Sequence, residues 1–467
     1  MTTQPADLSR RLFFRQACCS AVGAVGMASA ISQLRLIGAV AADATDVRRV
    51  AAPAADYKAL VCLFLNGGND GNSMIVPADA AGHATYAVAR GLLAVERSRL
   101  LPITPRTLAD ARSFGLHPAL GELHALFGQG KLAVLANVGT LLRPTTLAQY
   151  RAGTALPPQL YSHSDQLLQW QSSVPDRPFE TGWGGRLADA VDALNSNNQI
   201  SMSLTLSGTN RFQIGRSVAQ YSVGTAGAVT LSGLNTTGGT NDFRYDAIKA
   251  LAGDPQANLL NDAFASTTRR AIADSELLFT ALRATPPPAT AFPATPTAQR
   301  LAMVARLIAA APMLGLKRQV FFVQLHGWDL HAAQATGHAP LLAEISGALG
   351  AFHNATIALG VENQVTTFTA SDFGRTYNPN ADGTDHGWGN HQFIMGGAVK
   401  GGDIYGRMPS LTINADDDTG RGRWIPSTSV DEYNATLATW FGVSASNLST
   451  VLPNIGRFAK PNLGFMG

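Results

Sequence analysis

Carboxylates and imidazoles gather in three clusters in the last third of the chain: His326-Gly327-Trp328-Asp329-Leu330-His331, Ser371-Asp372-Phe373-Gly374-Arg375, and the stretch from Asp382 through Asp385 and His386 to His391. Mixed oxygen and nitrogen donors of this kind hold a divalent metal, and the mixture suits zinc, manganese or iron better than calcium. Asp329 and His331 alternate along an extended segment, so both project to one face and offer two donors to one ion. Asp372 directly follows an apolar run. Gly374 permits a tight turn after it, and Arg375 is available to hold an anionic oxygen. Each cluster alone also has an ordinary use, as a hydrogen-bonded loop, an Asx turn or a solvated glycine turn. Together they argue for a split metal site, because loops at the carboxyl ends of strands converge in open α/β sheets.

Two further segments offer chemistry. Asp70 lies in Asn66-Gly67-Gly68-Asn69-Asp70-Gly71-Asn72, where it either adds a hard carboxylate to the same site or holds a turn. The loop has neither the Gly-Lys-Ser/Thr of a phosphate cradle nor a dinucleotide fingerprint, so nucleotide binding is excluded. In Tyr161-Ser162-His163-Ser164-Asp165-Gln166, Ser162 stands at a helix start, where backbone amides favour an anion and a nucleophile is expected. Ser162 with Asp165 three residues on also reads as a capping-box-like start. The two uses are compatible, and His163 would position the serine or bind substrate.

The elements that must position these residues read as an α/β alternation. Apolar runs at Tyr57–Leu65, Leu132–Val138, Val320–Leu325 and Gln364–Ala370 are expected strands, the first of them buried on both faces. Helical patterns cover Pro118–Phe127, Gln166–Ser172, Phe243–Leu282, Ala298–Leu314, His338–Leu359 and, capped at Ser429, Val430–Phe441. Ser201–Gly239 turns to Thr, Ser and Gly and is expected to be loops or a small β element, and a Pro-rich connector follows Ala284. The expectation is a doubly wound, mostly parallel sheet in an α/β/α sandwich, one domain over 45–467 with an insertion at about 201–297.

Ser9-Arg10-Arg11-Leu12-Phe13-Phe14-Arg15 precedes an Ala-, Gly- and Ser-rich apolar run from Ala17 to Ile31, with small residues at Ala39–Ala44 for cleavage. Residues 1–44 therefore read as a twin-arginine signal, the translocase as a partner during export, and the destination as periplasmic or secreted, without a permanent membrane anchor. Of the three cysteines, Cys18 and Cys19 lie in that signal and only Cys62 follows it, so no internal disulfide is expected in the exported protein. A net charge of +3, part of it in the signal and its flank, gives no footprint for nucleic acid.

Leu65-Asn66-Gly67-Gly68-Asn69-Asp70-Gly71, Ser162-His163, Gly182-Trp183, Gly327-Trp328-Asp329-Leu330-His331 and Ser371-Asp372-Phe373-Gly374-Arg375-Thr376, in this order, resemble the exported bacterial domain-of-unknown-function family 1501. That family is similar in pattern to the alkaline phosphatase and sulfatase superfamily, with a metal centre at the strand ends of a doubly wound sheet. The resemblance implies Asp70 as first-strand ligand, Ser162 as hydroxyl nucleophile, Asp329 and His331 as ligands of one metal, Asp372 as the next-strand carboxylate and His386 as the late histidine. Phe373 departs from the pattern, standing where the phosphatases carry a second histidine; His391, His163 or His326 would have to replace it. No Cys-x-Pro-x-Arg surrounds Ser162, so a formylglycine nucleophile is excluded.

Two functions follow as expectations. One is a metal-dependent hydrolase of phosphate or sulfate esters, acting through Ser162 or water with Arg375 on the anion. The other is a non-catalytic relative that keeps the scaffold and binds an extracellular polymer or a secreted partner.

Overall fold

Lys58–Asn66 is buried at all seven interior positions, as a near-continuous apolar run requires when both faces of a strand are covered. This strand, β1, is central to the larger sheet of the computed structural model. The structure describes residue 53 and residues 55–107, 112–196, 199–228, 240–254 and 257–467; the segment expected to be a twin-arginine signal lies outside them. Three short strands, β2 (Ile75–Pro77), β3 (Leu101–Ile103) and β4 (Phe114–Leu116), form a separate antiparallel sheet. Then come β5 (Leu132–Gly139), β6 (Ser203–Thr205), β7 (Tyr221–Ser222), β8 (Arg318–His326), β9 (Val365–Ser371), β10 (Asn390–Gly396), β11 (Asp403–Gly406) and β12 (Thr428–Ser429).

The larger sheet runs β11-β5-β10-β9-β1-β8-β6-β7, with β12 also on β5. Every pairing is parallel except those of β10 with β5 and β9. The mixed α/β class and mostly parallel sheet expected from the sequence are thus present. Helix Pro296–Ala309, capped by Thr295 with proline at its first position, leads into β8, and helix Gln334–Ala358 leads into β9. The latter starts four residues before the expected His338 and carries Pro340 inside it. Ser429 and Glu432 close a reciprocal capping box on helix Val430–Phe441.

Residues expected as an insertion divide differently. β6 and β7 extend the main sheet, β6 pairing with β8 and β7 with β6, even though runs of two or three residues show no legible alternation. Among the described residues, 226–284 form a compact unit of their own, distinct from 53–225 with 285–467. That unit holds helices Thr240–Gly253 and Leu259–Ala284, with Glu276 accepting from Tyr245 Oη and Lys249 Nζ, both at 2.7 Å.

Asp431, at the second position of helix Val430–Phe441, is almost fully buried, and burial pushes its carboxyl up to about 7. The folded value exceeds the ordinary 3.8, so the protonated folded state is favoured. Its contribution is complete below about pH 4 and is lost as the pH rises through about 7. The thermal midpoint is therefore expected to fall between pH 5 and pH 8, and Asp431→Asn to reduce that fall; an unchanged fall in the variant would assign it to other groups.

Candidate metal centre

Three strands finish level with one another. Asn66 at the end of β1 pairs with His326 at the end of β8, and Leu65 pairs with Ser371 at the end of β9. The loops that follow therefore meet at one edge, the arrangement of ligand sites in open α/β sheets. Gly67 adopts φ +121°, and a Cβ there would stand 2.5 Å from the Asp329 backbone nitrogen; only glycine lets the β1 loop pass so close to the β8 loop. Ser371 Oγ donates to the Leu65 carbonyl at 2.6 Å and accepts from Asn69 N–H at 2.9 Å, stitching the β1 and β9 loops together. Two buried tryptophans anchor the glycine-rich segments from below. Trp388 donates to the Thr140 carbonyl at 2.8 Å and Trp424 to Asn72 Oδ1 at 2.9 Å.

At this edge His163, Asp329 and His386 bring one ligand atom each to within 4.8 Å of one another. His163 opens helix His163–Ser172, and its Nδ1 lies 2.7 Å from Asp372 Oδ2. With a carboxylate there, Nδ1 carries the proton and Nε2 keeps its lone pair. That Nε2 is buried, has no hydrogen-bond partner, and sits 3.3 Å from Asp329 Oδ2. The bond to Asp372 raises the His163 pKa above its ordinary value, against the opposing effect of burial, and Asp329 adds to the rise; the two carboxylates thus favour a proton on this ring, which a metal at Nε2 would have to displace. His386 is fixed in the same way by the Tyr161 carbonyl, 2.6 Å from Nδ1, which turns Nε2 to Asp329 Oδ1 at 3.3 Å. Burial lowers its pKa and so favours the neutral, ligating form. Burial alone would raise Asp329, but the Arg375 guanidinium at 2.8 Å outweighs it and holds the carboxyl below its ordinary value. Two imidazoles oriented by outer acceptors, with their Nε2 atoms facing one carboxylate, form a donor set that fits a divalent metal.

Of the residues singled out from sequence, His331 reaches the rim of this cluster, with Nε2 2.9 Å from His386 Nε2 and 3.0 Å from Asp329 Oδ1. Asp372 stands behind it. Fully buried, it holds His163 and accepts from Gly67 N–H at 3.1 Å, so its oxygens are spent on orienting an imidazole of the triad. Asp70 is not brought to the centre: it forms a buried ion pair with Arg90 and also accepts from Ser73 Oγ at 2.9 Å, Gln334 Nε2 at 2.5 Å and Asn72 N–H at 3.1 Å. Its burial, without solvent to share its charge, demands such partners. His391 is also turned away. Its Nδ1 accepts from Asn137 N–H at 3.1 Å, and burial pushes its pKa down to about 4. Arg375, fully buried, is committed to Asp329, to the Gly67 carbonyl at 3.3 Å and to Thr384 at 3.1 Å, so it is no anion clamp. Ser162 precedes the helix without bonding its amides; its hydroxyl donates instead to Asp165 Oδ2 at 2.5 Å.

The sequence offered His163 both as a helper of Ser162 and, with His391 and His326, as one of three histidines for the position Phe373 leaves open; choosing among them was beyond it, since a histidine at a helix start carries no spacing signal toward Asp329. Arg90 and the Tyr161 carbonyl were missed; nothing in a lone arginine or a backbone oxygen advertises a distant partner. Asp372→Asn would place an amide against His163 Nδ1 and no longer fix the ligating tautomer. We expect metal affinity to fall roughly 10- to 100-fold with folding retained, measured by competition with a chelator; unchanged affinity would show that Asp372 does not orient the ligand.

Fold and site together define an α/β protein with a metal-competent cluster at the strand ends of a mostly parallel sheet. Residues 57–443 match the family described as "Protein of unknown function (DUF1501)", and the chain belongs to it. No curated protein is a significant match. Among solved structures, the chain is similar to the PsFucS1 sulfatase from Pseudoalteromonas sp., at 10% identity, covering 88% of this chain and 70% of that one, with TM-score 0.34. It is similar to the C-terminal periplasmic domain of EcEptC from Escherichia coli, at 11% identity, 91% and 92% coverage and TM-score 0.34. A third likeness is to the phosphonate monoester hydrolase SpPMH from Silicibacter pomeroyi, at 9% identity, 83% and 74% coverage and TM-score 0.33. At this level of likeness the chemistry rests on the residues of the site itself.

Proposed function

We propose that the protein is an exported, metal-dependent hydrolase of phosphate or sulfate esters. The observation that carries this reading is the convergence of His163 Nε2, His386 Nε2 and the Asp329 carboxylate, one ligand atom of each within 4.8 Å of the others. A divalent zinc, manganese or iron held by His163, Asp329 and His386 would polarise an ester oxygen and make a bound water or hydroxyl more acidic. Asp329 is the single anionic ligand of this set, which leaves the centre net positive toward an anionic ester. The Asp329 and His331 side chains are 44% and 45% exposed, giving the open side that a catalytic centre needs and a structural one lacks. Ser162 adjoins His163 in the chain, and Asp165 is placed to accept its hydroxyl proton as the oxygen attacks; water is the other nucleophile. Export through the twin-arginine translocase fits a chain in which no described helix is long and apolar enough to cross a membrane.

Phe373 favours a second reading, a metal-holding protein that binds an extracellular polymer or secreted partner without turnover. Its buried ring packs 4.7 Å from the His163 ring and 4.6 Å from the His386 ring, where the phosphatase pattern has a histidine. Elemental analysis paired with a panel of phosphate monoesters, diesters and sulfate esters separates the two. Bound metal with turnover supports the hydrolase; a folded, metal-loaded protein inert on every ester supports the binding protein.

A further inference from the structure

Arg375 is ion-paired to Asp329, Arg421 to Asp385 and Arg90 to Asp70, so a tetrahedral oxyanion at this centre needs a different cation. Arg423 is placed to be one. Its Nε–H donates to the His386 carbonyl at 2.8 Å, and its guanidinium lies over the Tyr161 ring, 5.0 Å from the centroid. Tyr161 in turn precedes Ser162-His163 and gives its own carbonyl to His386 Nδ1. The guanidinium is thus fixed against both segments that carry the imidazoles. Among the described residues, neither Nη atom has a hydrogen-bond acceptor and no carboxylate pairs with the side chain. A guanidinium stacked on a ring and bonded through Nε keeps its two Nη groups for in-plane donation, the fork that matches an oxyanion.

The loop beneath it is tied down for this. Asp418 Oδ1 accepts from the N–H groups of Gly420 at 2.7 Å, Gly422 at 2.8 Å and Arg423 itself at 3.1 Å, and Oδ2 accepts from Asn414 N–H at 2.8 Å. Trp424, the next residue, is buried. Such ties hold the arginine in place before any ligand arrives.

We propose that Arg423 is the residue that binds the tetrahedral oxyanion of the substrate, whether phosphate or sulfate, in the role the sequence gives to Arg375. This rests on the metal-dependent ester hydrolase reading and adds to it the cation that selects the ester. The test is calorimetric titration of inorganic phosphate, and separately of sulfate, into the zinc-loaded full chain as wild type, Arg423→Gln and Arg423→Lys, with zinc content and circular dichroism measured on each. The glutamine variant is expected to keep its zinc and to bind the anion at least about tenfold more weakly. The lysine variant should fall between, restoring the charge without the fork. Whichever anion wild type binds more tightly distinguishes a phosphate from a sulfate site. Equal affinity in wild type and the glutamine variant, including no binding by either, overturns the proposal. A folded glutamine variant that loses its zinc also overturns it, because Arg423 would then be supporting His386 alone. Wild type that binds no zinc would instead defeat the hydrolase reading. The same titrations on the metal-free protein then decide Arg423, a tenfold loss supporting it and none overturning it.

Discussion

Replacing Arg90 by alanine is expected to destabilise the protein by roughly 3 to 5 kcal/mol, the cost of leaving one partner of a buried ion pair without the other. Arg90 and Asp70 are both buried, and Arg90 also donates to the Tyr377 carbonyl at 2.9 Å, the Thr376 carbonyl at 3.2 Å and Ser73 Oγ at 2.9 Å. Burial by itself would raise the Asp70 pKa, but Arg90 overrides it and the net shift is downward from 3.8. The pair's contribution is therefore fully present above about pH 4 and is lost as the pH falls through the folded value. Adding Asp70→Asn to Arg90→Ala should recover part of the loss, because the residual buried charge is gone. Urea midpoints of Arg90→Ala, Asp70→Asn and the double variant check this; an Arg90→Ala variant within about 1 kcal/mol of wild type would show that water reaches Asp70. The same proteins decide whether Asp70 is a ligand: Asp70→Asn that folds should keep its metal, and metal loss would restore the role the sequence implied.

Much of the architecture was legible because both of its signals are local. The strands that carry the site are long apolar runs, and β1, β8 and β9 each lie within a residue or two of the expected bounds. Ser429 and Glu432 announce their helix by a spacing of three. Loops or a small β element were expected over Ser201–Gly239, but that β6 joins the main sheet was not legible, since its pairing with β8 depends on residues more than a hundred positions away. The candidate site divides on the same line. Asp329, His331 and His386 were visible as clustered donors at strand ends. Whether a carboxylate ligates or supports was not, because Asp70, Asp329 and Asp372 all follow strands and differ only in what folding sets around them: Asp70 is sealed in with Arg90, Asp372 is buried against one imidazole, and Asp329, though paired with Arg375, stays half-exposed between imidazoles. Arg375 was read as a free cation for the same reason; its partner lies 46 residues away.

Removing the Asp329 carboxylate should have the largest effect on function. It is the one group that faces both Nε2 atoms of the triad, at 3.3 Å from each, and the single anionic donor among its three residues. Without it two neutral imidazoles remain, and they do not offset the charge of a divalent ion taken from water. Asp329→Ala is expected to drop bound metal from about one equivalent to well below a tenth and to lower ester turnover by roughly 10³-fold or more, about 4 kcal/mol in the barrier. The substitution also strips the buried Arg375 of its carboxylate, so part of any loss could come from a displaced loop. Asp329→Asn separates the two effects, since the amide keeps the shape and an acceptor for Arg375 but not the charge. Metal lost from a folded asparagine variant assigns the carboxylate to the ion. Turnover that survives in either variant would instead place the chemistry outside this triad, on Ser162 and Asp165 acting without it.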